Sequence, residues 1–205
     1  MARQGLGVNA SGDTDLIGVR ALKGVYSQCK NGEWTSSSQA NSTAATFVSG
    51  NFYGSIFIPA RDCSVDQIGV NVTTSGASAS LRLGIYEVIV ASDGGMTTSL
   101  VVDGGTVSAT TTGIKTVSFT AVNLKYGRVY MVGVVMVAGS TPQIRFTHGP
   151  LGLEALSATT SAIALATAFG VAYWCVGVGT GALPSTPTIT ISSGLGPHIA
   201  IHCSA

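Results

Sequence analysis

Ser80–Val90 reads Ser-Leu-Arg-Leu-Gly-Ile-Tyr-Glu-Val-Ile-Val, and its alternation decides the fold class. Leu81, Leu83 and Ile85 fall on one face of an extended chain, with Arg82 and Tyr86 on the other. Successive side chains of a strand point to opposite sides, so this pattern predicts a strand with one face on a core and one toward solvent.

Working outward, further strands follow at the spacing of an all-β domain. Upstream, residues 53–58 are halted by Pro59 and the turn residues Arg61 and Asp62. Residues 65–73 alternate with one phase break near Gln67, which reads as a bulge or a turn. Downstream, Asp93-Gly94-Gly95 and Asp103-Gly104-Gly105 supply positive-φ turn residues on either side of residues 100–102. Residues 115–119 alternate again, and 123–128 read as a turn. Val129–Ala138 (VYMVGVVMVA) is apolar on both faces. Such a strand belongs at the centre of a sandwich, or packs its outer face on another subunit. Residues 143–146, 170–178, 188–192 and 198–203 read as further strands, while 155–167 suits a short helix or a loop equally. The expected architecture is an all-β, antiparallel β-sandwich closed by pairing its terminal strand.

The first 45 residues differ from the rest, being punctuated by Gly, Asn, Ser and Asp. Their apolar patches supply Leu16, Ile17, Val19, Leu22 and Val25, and Trp34 is followed by a run of small polar residues. This predicts an extended arm with a short strand or two and a flexible linker over residues 1–45, ordered by a partner, before a sandwich over 46–205.

Composition bounds the function. Charged residues make up 9% of the 205, against about 25% in an ordinary soluble domain. With a net charge of +1, copies of the chain repel one another weakly. That points to a homo-oligomer, most simply a trimer, with Val129, Met131, Val135 and Met136 as candidate interface residues. A hydrophobic content of 45% excludes disorder for most of the chain. The longest apolar run, 162–178, is interrupted by Thr167 and Gly170 and falls short of the roughly 20 residues of a spanning helix. Asp13 and Asp15 interrupt any secretory signal, so synthesis in a cytosol is expected. The ten Lys and Arg residues are scattered, which argues against nucleic acid as a partner.

No catalytic, metal or cofactor set is legible. His198 and His202 would share a strand face about 13 Å apart, too far for one ion. No Gly-x-Ser-x-Gly elbow occurs, and Asp62, Asp66, Glu87, Asp93, Asp103 and Glu154 mostly stand beside turn signals or strand ends. Asp93 and Asp103 could offer oxygens to calcium, but that ion takes about six to eight, and the two Asp-Gly-Gly triplets are more simply turns. Cys29, Cys63, Cys175 and Cys203 form no CxxC pair and no cluster along the chain, so buried free thiols are expected. Their pairing, should they oxidise, is open. Tyr53 and Tyr126, at strand edges, are the candidates for stacking on a sugar.

The order of segments carries a resemblance. Gly50-Asn51-Phe52-Tyr53 leads into a strand ending at Ile58-Pro59, and a strand from Cys63 to Val70 follows. Next come Leu81-Arg82-Leu83-Gly84-Ile85-Tyr86, the two Asp-Gly-Gly triplets, and Tyr126-Gly127-Arg128-Val129-Tyr130. Over residues 50–203 this resembles the jelly-roll, carbohydrate-binding-module-like domain of tail-fibre, minor tail and head-decoration proteins of tailed bacteriophages. The resemblance implies a jelly-roll fold, frequent trimerisation and no catalysis. With only a short arm, the chain looks more like a head-decoration or head-fibre protein than a long receptor-binding fibre. The expectation is a structural accessory of the virion, assembled in the host cytoplasm and docked on capsid or tail proteins by its arm. The alternative is a tail-fibre or minor tail module that recognises host surface glycan.

Overall fold

The computed structural model describes residues 26–27, 29–36, 42–45, 48–90, 96–147, 171–175, 177–193 and 196–204. Among them there is no helix, and the strands form two sheets. The first sheet has the order β12 (Ile189–Ser193), β11 (Val171–Cys175), β4 (Phe52–Pro59), β9 (Val129–Ala138), β6 (Ser80–Val90), β7 (Met96–Ser108). A short β1 (Tyr26–Ser27) adds to it in parallel, at the Ile58–Pro59 end of β4.

The spine of the second sheet is β5 (Cys63–Thr74). One of its edges pairs with β8 (Gly113–Leu124). The other edge takes β14 (Ile199–Cys203) and then β10 (Gln143–Thr147), end to end. Beyond these lie β2 (Trp34–Ser36) on β14, and β3 (Ser42–Ala45) and β13 (Gly196–Pro197) on β10. Of the bulge or turn expected near Gln67, the structure has the bulge, with the register to β8 shifting between Val65 and Gln67.

The main core lies between the sheets. Phe57, Leu81, Leu83, Ile85, Val132 and Val134 of the first sheet are buried with Val65, Ile68, Val70, Ile144, Ile199 and Ile201 of the second. Their removal from water drives the sandwich together, at about 25 cal/mol for each Å² of apolar surface.

Several expectations are corrected. The outer face of β6 is not solvated, because Tyr86 and Val88 are as buried as Leu81. They join Phe52, Ile56, Ile58, Met131 and Val135 in a second apolar cluster, which is closed by Leu183 from the segment 177–188. That segment is tied down as a strap: Tyr86 Oη donates to Pro184 O, Thr98 Oγ1 to Pro187 O, and the Leu100 N–H to Ser185 O. The doubly apolar β9 therefore has its outer face covered from within the chain. Met131, Val135 and Met136 are buried and Val129 is half-buried, which leaves these candidate interface residues little surface for a second subunit.

Asp103-Gly104-Gly105 does not turn the chain but sits inside β7. Leu83 pairs with Gly105 and Gly84 with Asp103, so Gly104 is the extra residue of a bulge, and Gly105 takes a φ of 90°. The positive φ read from the triplet is used within a strand, because Asp103 is held by other groups. Its carboxylate accepts from Arg82 Nη1 at 2.8 Å, the Gly105 N–H at 3.0 Å and the Leu183 N–H at 2.9 Å. Part of what reads as arm and linker belongs to the sandwich, since β1, β2 and β3 all pair with its strands. Leu16, Ile17, Val19, Leu22 and Val25, the Asp93-Gly94-Gly95 triplet and residues 155–167 lie outside the described residues.

Candidate functional site

The outer face of the second sheet is open. Across β5, Gly69 and Asn71 alternate with the inward Ile68, Val70 and Val72, and Thr116 and Ile114 stand beside them on β8. On the other side of β5, Ala200 and His202 of β14 alternate with the buried Ile199, Ile201 and Cys203. Trp34 of β2 pairs with His202 and completes the face.

Trp34, Gly69, Asn71, Ile114, Thr116 and Ala200, with Arg145 and His198, line a groove of about 380 Å³. Trp34 is 45% exposed and Ile114 78% exposed, so two large apolar side chains stand in water beside polar neighbours. The indole is positioned from below and from the side. A Cβ added at Gly69 would lie 3.3 Å from Trp34 Cζ3 and 3.1 Å from Thr116 Cγ2, so the glycine lets the ring settle close to the sheet. The His202 ring lies 5.4 Å from the indole, tilted by 55°. His202 Nδ1 is in turn 2.6 Å from Asp66 Oδ1. Asp66 is the residue left out of the ladders by the β5 bulge, which is how it reaches the histidine.

At the opposite side of the groove, the His198 N–H donates to Arg145 O at 2.8 Å. The His198 imidazole is held below its ordinary pKa, first by burial and then by the Arg145 charge. It therefore favours the neutral form, which offers one donor and one acceptor. The groove thus sets an aromatic plane beside an amide, a hydroxyl, a guanidinium and an imidazole. This combination suits a ligand with apolar ring faces and a periphery of hydroxyls.

The sugar-contact candidates read from sequence are elsewhere. Tyr53 packs against the main core, and its Oη accepts the Val48 N–H at 3.1 Å. Tyr126 is exposed in the turn between β8 and β9, where its N–H and Lys125 Nζ both bond the Asp62 carboxylate. The Gly127 N–H bonds Pro59 O, so the two tyrosines lie toward opposite ends of β4, about 20 Å apart by the strand rise. The structure does not bring them together. Trp34, Asn71 and Arg145 went unmarked in the sequence. The available signal was a tryptophan in a segment otherwise short of apolar residues, which is a poor place for a core side chain.

A second constellation lies inside the sandwich. Cys29, Cys63 and Cys203 are all buried, and their sulfurs lie within 4.8 Å of one another. Cys63 Sγ and Cys29 Sγ are 2.8 Å apart. The chain order that kept the cysteines apart is undone by β5, β14 and the segment before β2. Cys63 is lowered to about 4, first by its hydrogen bond with Cys203 and then by that with Cys29. Cys29 is raised by the same two neighbours, Cys203 first.

Compared with known protein families, with curated proteins and with solved structures, the chain finds no significant match in any of the three.

Proposed function

We propose that this chain is a non-enzymatic recognition module of a tailed-phage particle, and that it binds host surface glycan in the groove of the second sheet. The observation that carries this reading is Trp34, a half-exposed indole beside Asn71, Thr116, Arg145 and His198. A pyranose ring presents an apolar face to such a platform and its hydroxyls to the surrounding donors and acceptors. The phage assignment draws on the order of segments over residues 50–203 and on the low charge density.

The test is binding of the purified chain to polysaccharides from bacterial envelopes, on an array or by calorimetry. The expected result is binding that Trp34→Ala weakens by roughly tenfold or more, as for other central aromatic contacts, with the melting curve nearly unchanged. Binding that survives Trp34→Ala at full strength would move the site elsewhere, and no binding to any envelope glycan would sink the reading.

A second reading, a structural accessory docked on capsid or tail proteins by its N-terminal arm, is favoured by one feature. Tyr26–Ser27 already adds as a strand to the edge of β4, and strand addition is a general mode of peptide docking. Particle binding by the intact chain, lost on removing residues 1–25, would support it. Unchanged particle binding by the truncated chain would place the docking surface on the sandwich.

A further inference from the structure

We propose that Cys29 and Cys63 are a disulfide site, closed under oxidising conditions to fasten the N-terminal segment onto β5, with Cys203 left as the neighbouring thiol. The two sulfurs, 2.8 Å apart, are well inside the contact distance of non-bonded sulfur atoms. The segment that carries Cys29 is already docked beside them. The Gly32 N–H donates to Cys203 O at 2.7 Å and the Cys203 N–H to Glu33 O at 3.0 Å. Arg61 Nε adds a bond to Cys29 O at 2.5 Å, with Arg61 only two positions from Cys63. The backbone on both sides of the pair is therefore held before any bond forms.

A metal is the competing occupant of three thiols, and the surroundings disfavour it. Thiolates about 2.3 Å from a tetrahedral ion stand roughly 3.8 Å apart, so Cys29 and Cys63 would have to separate. All three cysteines sit in the main apolar core, where a charged site of any kind is costly. A disulfide carries no charge and suits that core.

The chemistry balances with a small-molecule disulfide, such as oxidised glutathione, as oxidant. The Cys63 thiolate attacks one of its sulfurs, forming a mixed disulfide and expelling a glutathione thiolate. Cys29 then gives its proton to the expelled thiolate, and its sulfur attacks Cys63 Sγ. The second glutathione leaves as thiolate and takes a proton from solvent. Two protein thiols are oxidised to one disulfide, and one glutathione disulfide is reduced to two thiols. Cys63 is suited to the first attack because its pKa is lowered and it is the least buried of the three. Trp34 follows Cys29 on the same segment, so the bond also restricts the platform. That consequence rests on the glycan reading, whereas the bond itself does not.

The test uses the full chain with Cys175→Ser, so that only the triad is counted. After equilibration with oxidised glutathione, alkylation and peptide mapping should show a Cys29–Cys63 cross-link with a single alkylatable thiol. The melting temperature should rise by about 10 °C over the reduced form, as a loop of this length implies. Cys203→Ser should keep both effects and Cys63→Ser should lose both. If Cys63→Ser fails to fold, the mapped cross-link decides alone. Three alkylatable thiols after oxidation, or a cross-link that includes Cys203, would overturn the assignment. So would one tightly held metal ion that shields all three thiols in the reduced protein. Loss of the cross-link with glycan binding intact would count against the disulfide only.

Discussion

The two sheets turn faces of opposite character away from their shared core. Outward positions of the first sheet are Phe52, Ile56, Tyr86, Met131 and Val135, and the chain folds its own strap over them. Outward positions of the second are Asp66, Asn71, Thr116, Ala200 and His202, and they stay accessible around a groove. Apart from the short parallel β1, both sheets pair their backbones antiparallel, so hydrogen bonding does not separate them. What separates them is the transfer free energy of the alternate side chains, which makes one face costly to leave wet and the other cheap. The closed face belongs to stability, and the open one carries the groove proposed for recognition.

The largest break in this contrast is expected on the closed face. Met131→Ala removes a fully buried side chain against which Gly54 is packed so closely that an added Cβ would lie 2.2 Å from Met131 Cγ. A loss of about 2–5 kcal/mol is expected in urea unfolding. A loss below about 1 kcal/mol would mean that the strap is loose and the cavity collapses.

Next comes Gly84→Val. The new Cβ would meet Leu183 Cδ1 at 2.3 Å and Val102 O at 3.0 Å. A cost of about 1–3 kcal/mol is expected from overpacking, together with faster proteolysis within residues 177–188 as the strap lifts. Strap protection equal to that of the unmodified chain would separate Leu183 from the closure of this face.

Asp103→Asn should follow at about 1–3 kcal/mol, because it weakens the pair with the mostly buried Arg82 and the bond to the Leu183 N–H. No calcium dependence of melting is expected in either protein, since the Asp103 oxygens are already engaged by donors. A chelator-sensitive melting temperature that vanishes with the substitution would contradict this.

The smallest effects belong to the open face. Trp34→Ala should cost less than about 1 kcal/mol in stability while removing most glycan binding. His198 adds a pH term of known sign. Its folded pKa lies below the ordinary value of 6.5, so the unfolded chain binds the proton more readily. Its contribution is present above the unfolded value of 6.5 and is lost as pH falls from there through the lower folded pKa. Unfolding between about pH 7.5 and about pH 5 should show a smaller acid loss in His198→Gln than in the unmodified chain. Equal pH slopes would place His198 in free solvent.

These contrasts mark the boundary of what a sequence can hold. The alternation in Ser80–Val90, the phase break near Gln67 and a turn within residues 123–128 were legible; β6, the β5 bulge and the β8–β9 turn follow them, although Asn123 and Leu124 still belong to β8. Each depends on neighbours a few residues apart, where backbone preference and side-chain period act directly. The sandwich followed from enough such strands. Long-range matters did not. Whether Tyr86 faces water depends on a strap almost 100 positions away, reached by its own hydroxyl at Pro184 O. Asp103-Gly104-Gly105 carries turn chemistry, yet Arg82 and Leu183 hold it within a strand. Cys29, Cys63 and Cys203 meet only because β14 enters between β5 and β2. Sequence determined the strands with a regular side-chain period, such as β6 and the end of β5, since their signals are local and repeated. Tertiary structure decided which faces close, which residues share a groove and which sulfurs touch, because those depend on contacts between segments that carry no periodic mark of one another.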